Sequence, residues 1–168
     1  VSLKHVSDRP GIGLLSCRLE TKDDLRTDNR RSLVIETVNE VPLLLVDDST
    51  ETDPLKTERG YLLAALGYDP DGKVKAKGAG IFRLTTVHPS ELASYSMSDF
   101  RAVIFANTPE LEDGAIARLT DFVRSGGGLW MALGDRTRPE DFNPKLFREG
   151  AGLSPWPIDT PKGDLHRR

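Results

Sequence analysis

The sequence predicts an α/β fold built on a mainly parallel sheet, and three observations predict it. From Val41 onward, short apolar runs alternate with amphipathic segments. The apolar runs are continuous rather than alternating, as suits strands buried on both faces. Polar or glycine-rich connections separate runs from amphipathic segments, the grammar of repeated strand–helix units. Right-handed crossovers leave few topologies for such a chain. The expected order places strand 42–47 centrally, strand 81–87 beside it, strand 101–106 on its other side and strand 128–133 beyond. That is a flavodoxin-like sheet with helices on both faces.

Residues 1–40 have a different texture. "GIGLLSCRLE" (11–20) and "RRSLVIETV" (30–38) are rich in β-branched and apolar residues, and the polar "TKDDLRTDN" lies between them. Two strands around a polar loop predict a β-hairpin. A lone hairpin is marginally stable. It therefore packs on the following domain or belongs to a β-sandwich whose other strands are missing.

The α/β unit follows element by element. "VPLLLVDDS" is a strand ending in two acids. In "DPLKTERGYLLAAL", Asp53 is the expected N-cap and Pro54 the first helical residue. Leu55, Leu62, Leu63 and Leu66 recur near helical spacing, and Gly67 stops the helix. "IFRLTTV" (81–87) is a second strand, and "HPSELASYSMSDF" holds a helical turn capped by Ser90. "RAVIFANTP" (101–109) is a third strand, broken by Asn-Thr-Pro. In "ELEDGAIARLTDFVRSGG", Ile116, Leu119, Phe122 and Val123 form one apolar face. "GLWMALGD" is a fourth strand with Trp130 expected in the core, "RPEDFNPKLF" a last helix or turn, and residues 159–168 an irregular tail.

The run "SGGGLWMALGD" (125–135) invites a phosphate loop, but its order is wrong. Phosphate loops run strand, glycines, helix, so that helix N-terminal amides face the anion. Here a helix precedes the glycines and a strand follows them. The glycines sit at the negative end of the helix dipole, where a left-handed cap and tight turn are expected.

Bulk properties exclude several functions. A net charge of −3 gives no basic field for nucleic acid, so no nucleic-acid partner is expected. The one cysteine, Cys17, makes no internal disulfide, and no Cys/His set has zinc spacing. No apolar run approaches the roughly 20 residues of a membrane helix, and there is no signal-peptide pattern. The fragment itself is expected to be soluble, and a start at Val1 fits a piece cut from a longer chain. No cofactor is expected.

Open parallel sheets bind ligands beyond the carboxyl ends of their strands. The polar residues expected on that edge are Asp47, Asp48, Asn107 and Asp135, the tentative ligand-binding set. An Asp/Asn cluster holds a divalent cation through oxygen ligands or fixes loops by hydrogen bonds, and the second use is the commoner one. No metal ligand is assigned. "LLLVDDS" through "ERGYLLAALGY" resembles the opening of a response-regulator receiver domain, where paired acids hold magnesium. The likeness stops there: Ala106 and Asn107 stand where a phosphorylatable Asp belongs, and Gly134-Asp135 where a Lys belongs. His88 and His5 are expected to face solvent, His166 lies in the tail, and "DNRR" (28–31) is a solvated turn or a grip for a partner's acids.

The chain from Asp28 to about Ile158 also resembles a segment of large bacterial membrane proteins of the aerotolerance-operon type. The matching phrases are "TDNRRSLVIETVNEVPLLLVDDS", "DFRAVIFANTPEL", "LTDFVRSGGGLWMALGDR" and "FNPKLF…GAGLSPWPI". Those proteins carry membrane helices, a von Willebrand factor A domain, a β-sandwich and a class I glutamine amidotransferase-like domain. The resemblance implies residues 1–40 as the last hairpin of a truncated sandwich and 41–158 as the amidotransferase-like domain. It implies membrane attachment, periplasmic in our expectation, only through regions outside this chain. True amidotransferases place a nucleophilic Cys after the fourth strand, where this chain has Gly134 and Asp135, and no Cys–His–Glu triad follows. The expected function is a non-catalytic interaction or scaffolding domain with unidentified protein partners. The alternatives are a small-ligand or divalent-metal sensor and a degenerate receiver-like module.

Overall fold

The computed structural model describes Lys4 and residues 9–21, 27–69, 72–73 and 81–160. His5, His166 and the tail from 161 onward lie outside the described residues. The chain divides into two compact units at Glu40/Val41. The first is a hairpin of β1 (Gly11–Arg18) and β2 (Arg30–Thr37), paired antiparallel with Gly11 opposite Thr37 and Arg18 opposite Arg30. Every residue of β1 is exposed.

The second unit is the predicted parallel sheet. Its strands are β3 (Val41–Val46), β4 (Phe82–Val87), β5 (Ala102–Ala106) and β6 (Gly128–Ala132), in the order β4-β3-β5-β6. All three pairings are parallel. The central strands β3 and β5 are the continuous apolar runs, and Leu44, Leu45, Val46, Val103 and Ala106 are buried. This flavodoxin-like sheet, preceded by a hairpin, has four strands among the described residues, where a receiver has five and no leading hairpin.

Helical elements cover both faces. On one face, Leu44, Val46, Val103 and Phe105 pack with Leu119 and Phe122 of α2 (Asp113–Arg124), and with Phe142 of α3 (Pro139–Phe142). On the other, Leu43, Leu45, Ile104 and Ala106 pack with Leu62 of α1 (Glu58–Ala65). The second face has fewer covering elements, which explains one departure from expectation. Trp130 is not core: it lies opposite Ile104 on β6, at the sheet edge, and is 52% exposed.

Three local readings are corrected. The expected helix 53–66 is split. Asp53 and Pro54 start only a 3-10 turn, Pro54–Lys56, and Thr57 then caps α1 by accepting from the Gly60 N–H. Leu55, expected on the same helix as Leu62, Leu63 and Leu66, is exposed because it falls on the turn rather than on α1. The turn after β4 is capped by His88, not Ser90: the His88 Nδ1 accepts from the Ser90 N–H, so this histidine has a structural job. The strand expected at 128–133 ends one residue early, at Ala132, and opens into the Gly134 loop, while the third strand ends at Ala106 as expected, where the backbone turns left-handed at Asn107.

The triple glycine is a helix stop. The Gly126 N–H donates to the Val123 carbonyl and the Gly127 N–H to the Phe122 carbonyl, the paired bonds of a Schellman cap. Gly126 has φ +98°, a conformation that glycine adopts without a Cβ penalty. Past α3, Arg148 (φ 48°) and Glu149 (φ 55°) are left-handed without being glycine. Each such residue costs about 1–2 kcal/mol. Glu149→Gly is therefore expected to raise stability by about 0.5–1 kcal/mol, the flexibility of glycine in the unfolded chain offsetting part of the gain. A denaturation midpoint at or below that of the wild type would contradict it.

Candidate functional site

The carboxyl ends of the four strands bring the predicted polar residues onto one edge. Asn107, directly after β5, is its centre. It is buried and left-handed at φ 49°, a region that Asn tolerates better than most residues. Its backbone N–H continues the ladder to the Ala132 carbonyl, which holds the β5 and β6 ends together. Its side-chain Nδ2 donates to Glu58 Oε1 and to Asp135 Oδ1, both at 2.8 Å. Its Oδ1 accepts from the Arg136 N–H at 3.1 Å. One amide thus ties the first turn of α1, the end of β5 and the loop after β6.

The paired acids after β3 join this network through arginines. The Arg136 Nη1 lies 2.6 Å from Asp48 Oδ1. Beside this ion pair the buried Asp48 Oδ1 makes no hydrogen bond. Arg59 pairs with Asp47 Oδ2 at 3.7 Å. Asp47 Oδ1 also accepts from the Ser49 N–H at 3.3 Å. Asp48, Asn107 and Asp135 therefore belong to one connected set through Arg136, whereas Asp47 pairs with Arg59 and feels Arg136 and Asp48 only through their charges. Three members were missed: Glu58, Arg59 and Arg136. Arg136 adjoins Asp135 in the same loop, and Glu58 and Arg59 open the helix after the acid-bearing strand. Their proximity to the expected edge was the available signal.

Asp47 is the electrostatic cost of this arrangement. Its side chain is 3% exposed. Burial raises its pKa above the ordinary carboxylate value, although the Ser49 N–H, Arg59 and Arg136 pull it back down. A raised folded-state pKa means that the folded chain holds the proton more tightly than the unfolded chain. The associated stability is fully present below the unfolded value of 3.8 and is lost as pH rises through the folded value. Asp47→Asn keeps an oxygen for the Ser49 N–H and never ionises. It is expected to melt roughly 2–4 °C higher than the wild type at pH 7, with the difference vanishing toward acid pH. Equal midpoints at pH 7, or a difference that grows on acidification, would refute this.

A Cβ on Gly134, in the loop after β6, would lie 2.5 Å from Asn107 Oδ1 and 2.6 Å from its Nδ2. The space is filled by the Asn107 amide. His88, the one histidine among the described residues, follows β4 at the opposite edge of the sheet from β6. Among the described residues, no group of three or more His, Cys, Asp or Glu is arranged to hold a metal ion. An apolar cavity lined by Phe105, Ile116, Met131, Phe142 and Thr108 lies beside the network, with a volume of about 30 Å³. The Thr108 hydroxyl in its lining is buried without a hydrogen-bond partner.

The arrangement is thus a set of acids and arginines that satisfy one another and pin three loops. No helix among the described residues is long and apolar enough to cross a membrane. Comparison with protein-family models, with curated proteins and with solved structures gives no match to this chain.

Proposed function

We propose that the chain is a non-catalytic, amidotransferase-like interaction or scaffolding domain of a larger, membrane-anchored bacterial protein. The observation that carries this reading is the Asn107 amide filling the space beside Gly134. A hydrolase of this topology needs a nucleophile with open space for a substrate carbonyl at that strand end. Gly134 carries no side chain, and the Asn107 amide occupies the space beside it. The acids around it are bound to arginines and amides rather than aimed at an open cleft. The phrases "DFRAVIFANTPEL" and "LTDFVRSGGGLWMALGDR" support the family and the membrane setting, with attachment supplied outside this segment. A protein that keeps such a fold without its chemistry uses surfaces.

The purified chain is expected to release no ammonia from glutamine and to cleave no p-nitrophenyl ester above background. Turnover that disappears in Asp135→Ala would overturn the reading. A sensor for a divalent cation is the second reading, favoured by the Asp48 oxygen buried without a hydrogen bond. It requires Arg136 to be displaced from Asp48. Calorimetric heat and a melting shift with Mg²⁺ or Ca²⁺, both lost in Asp48→Asn, would establish it, and a flat titration dismisses it.

A further inference from the structure

The hairpin carries a feature that the sheet-edge network does not use. Its register sets Arg18 opposite Arg30, Ser16 opposite Ser32 and Leu14 opposite Val34. Directly opposed residues project from the same face, and so do residues two apart along a strand. From the loop end inward, one face therefore presents two guanidiniums, then two hydroxyls bonded to each other at 2.8 Å, then two aliphatic side chains, and last Ile12 opposite Glu36. Like charges placed directly opposite work against the hairpin. Among the described residues, neither arginine has an acidic partner. Leu14 and Val34 are both about two-thirds exposed, at 64% and 67%. Two strands alone cannot bury them.

We propose that this face docks an extended, acidic segment of a partner protein. Carboxylates of that segment enter the fork between Arg18 and Arg30, where guanidinium groups bind them with paired N–H···O bonds. Apolar residues of the same segment cover Leu14 and Val34. A second copy of the chain fits this face poorly. Stacked with loops together, it brings four arginines into one place. Stacked with loops apart, it offers the arginines only the one acid of the Ile12/Glu36 pair and sets the serine hydroxyls on the aliphatic pair. The inference rests on the reading of the chain as an interaction domain and names the surface and the charge of the partner.

The test uses the full chain and a fluorescein-labelled peptide in which glutamates alternate with valines, beside the same peptide with lysines for glutamates. Polarisation is expected to show binding of the acidic peptide only, weakening strongly as salt rises from about 0.05 to about 0.5 M. Arg18→Glu makes the cross-strand pair attractive, so the hairpin is retained while affinity falls about tenfold or more. The double variant Arg18→Glu/Arg30→Glu is expected to bind the lysine peptide instead. Absence of binding, equal binding of both peptides, or unchanged affinity in Arg18→Glu would overturn the proposal. So would a dimer in sedimentation that Arg18→Glu dissociates. Ester or glutamine turnover by the same preparation would instead remove the non-catalytic reading, leaving the peptide result to stand or fall by itself.

Discussion

Gly60→Ala is expected to cost the α/β unit about 3–5 kcal/mol, enough to unfold a marginally stable domain. Gly60 lies in the first turn of α1, under the 3-10 turn Pro54–Lys56. A Cβ there would fall onto the Pro54 carbonyl oxygen and within 2.6 Å of its carbon. The obstacle is backbone, which has no rotamer to move aside, so relief requires pulling the turn off the helix. That movement breaks the Thr57 cap, whose hydroxyl both accepts from the Gly60 N–H and donates to the Pro54 carbonyl. Glu58 and Arg59 follow directly on that cap, so their contacts with Asn107 and Asp47 would loosen too. The check is urea denaturation followed by far-UV circular dichroism. A loss under about 1 kcal/mol would mean that the turn is not packed as described.

Gly134→Cys is expected to destabilise the protein by about 2–3 kcal/mol and to confer no glutaminase activity. It places a thiol at one of the two positions, with Asp135, that the proposed amidotransferase likeness sets against the nucleophile, yet the new Cβ collides with the Asn107 amide. Among the described residues no imidazole stands near: His88 is at the opposite edge of the sheet and its Nδ1 is engaged with Ser90. The collision is testable by a double-mutant cycle. Asn107→Gly removes the obstructing amide and suits the φ of 49°, at the loss of the bonds to Glu58, Asp135 and Arg136. The double variant should be more stable than the sum of the singles predicts, by about 1 kcal/mol or more. Strict additivity would show that Gly134 and Asn107 do not compete for the same space. Glutaminase activity in either variant would show a catalytic base that the geometry does not contain.

Much of the fold was legible in the residues because its signals are local. The buried strands β3 and β5 are continuous apolar runs, and α2 has its apolar residues at helical spacing. The Gly126–Gly127 stop follows from the left-handed cap that ends a helix. These features depend on a few neighbouring residues, and the strand order then followed from the crossover rule. Errors came where burial depends on distant elements. Trp130 alternates like a core residue, but nothing in its own strand says that the helices thin out above it. The split at Thr57 escaped notice because it depends on how closely Gly60 approaches Pro54, a packing distance and not a pattern.

The site divides the same way. The sequence by itself determined that Asp47, Asp48, Asn107 and Asp135 follow strands, because strand ends are read from the apolar runs, and that Gly134 offers no nucleophile. Only the tertiary structure decided what those residues do. It brought Glu58, Arg59 and Arg136 among them, turning candidate ligand oxygens into partners of arginines and of one amide. It also set Arg18 against Arg30, separated by the whole hairpin loop. Charges carry no mark of their partners along the chain: a carboxylate's role is set by the cation that folding places within a few ångströms of it.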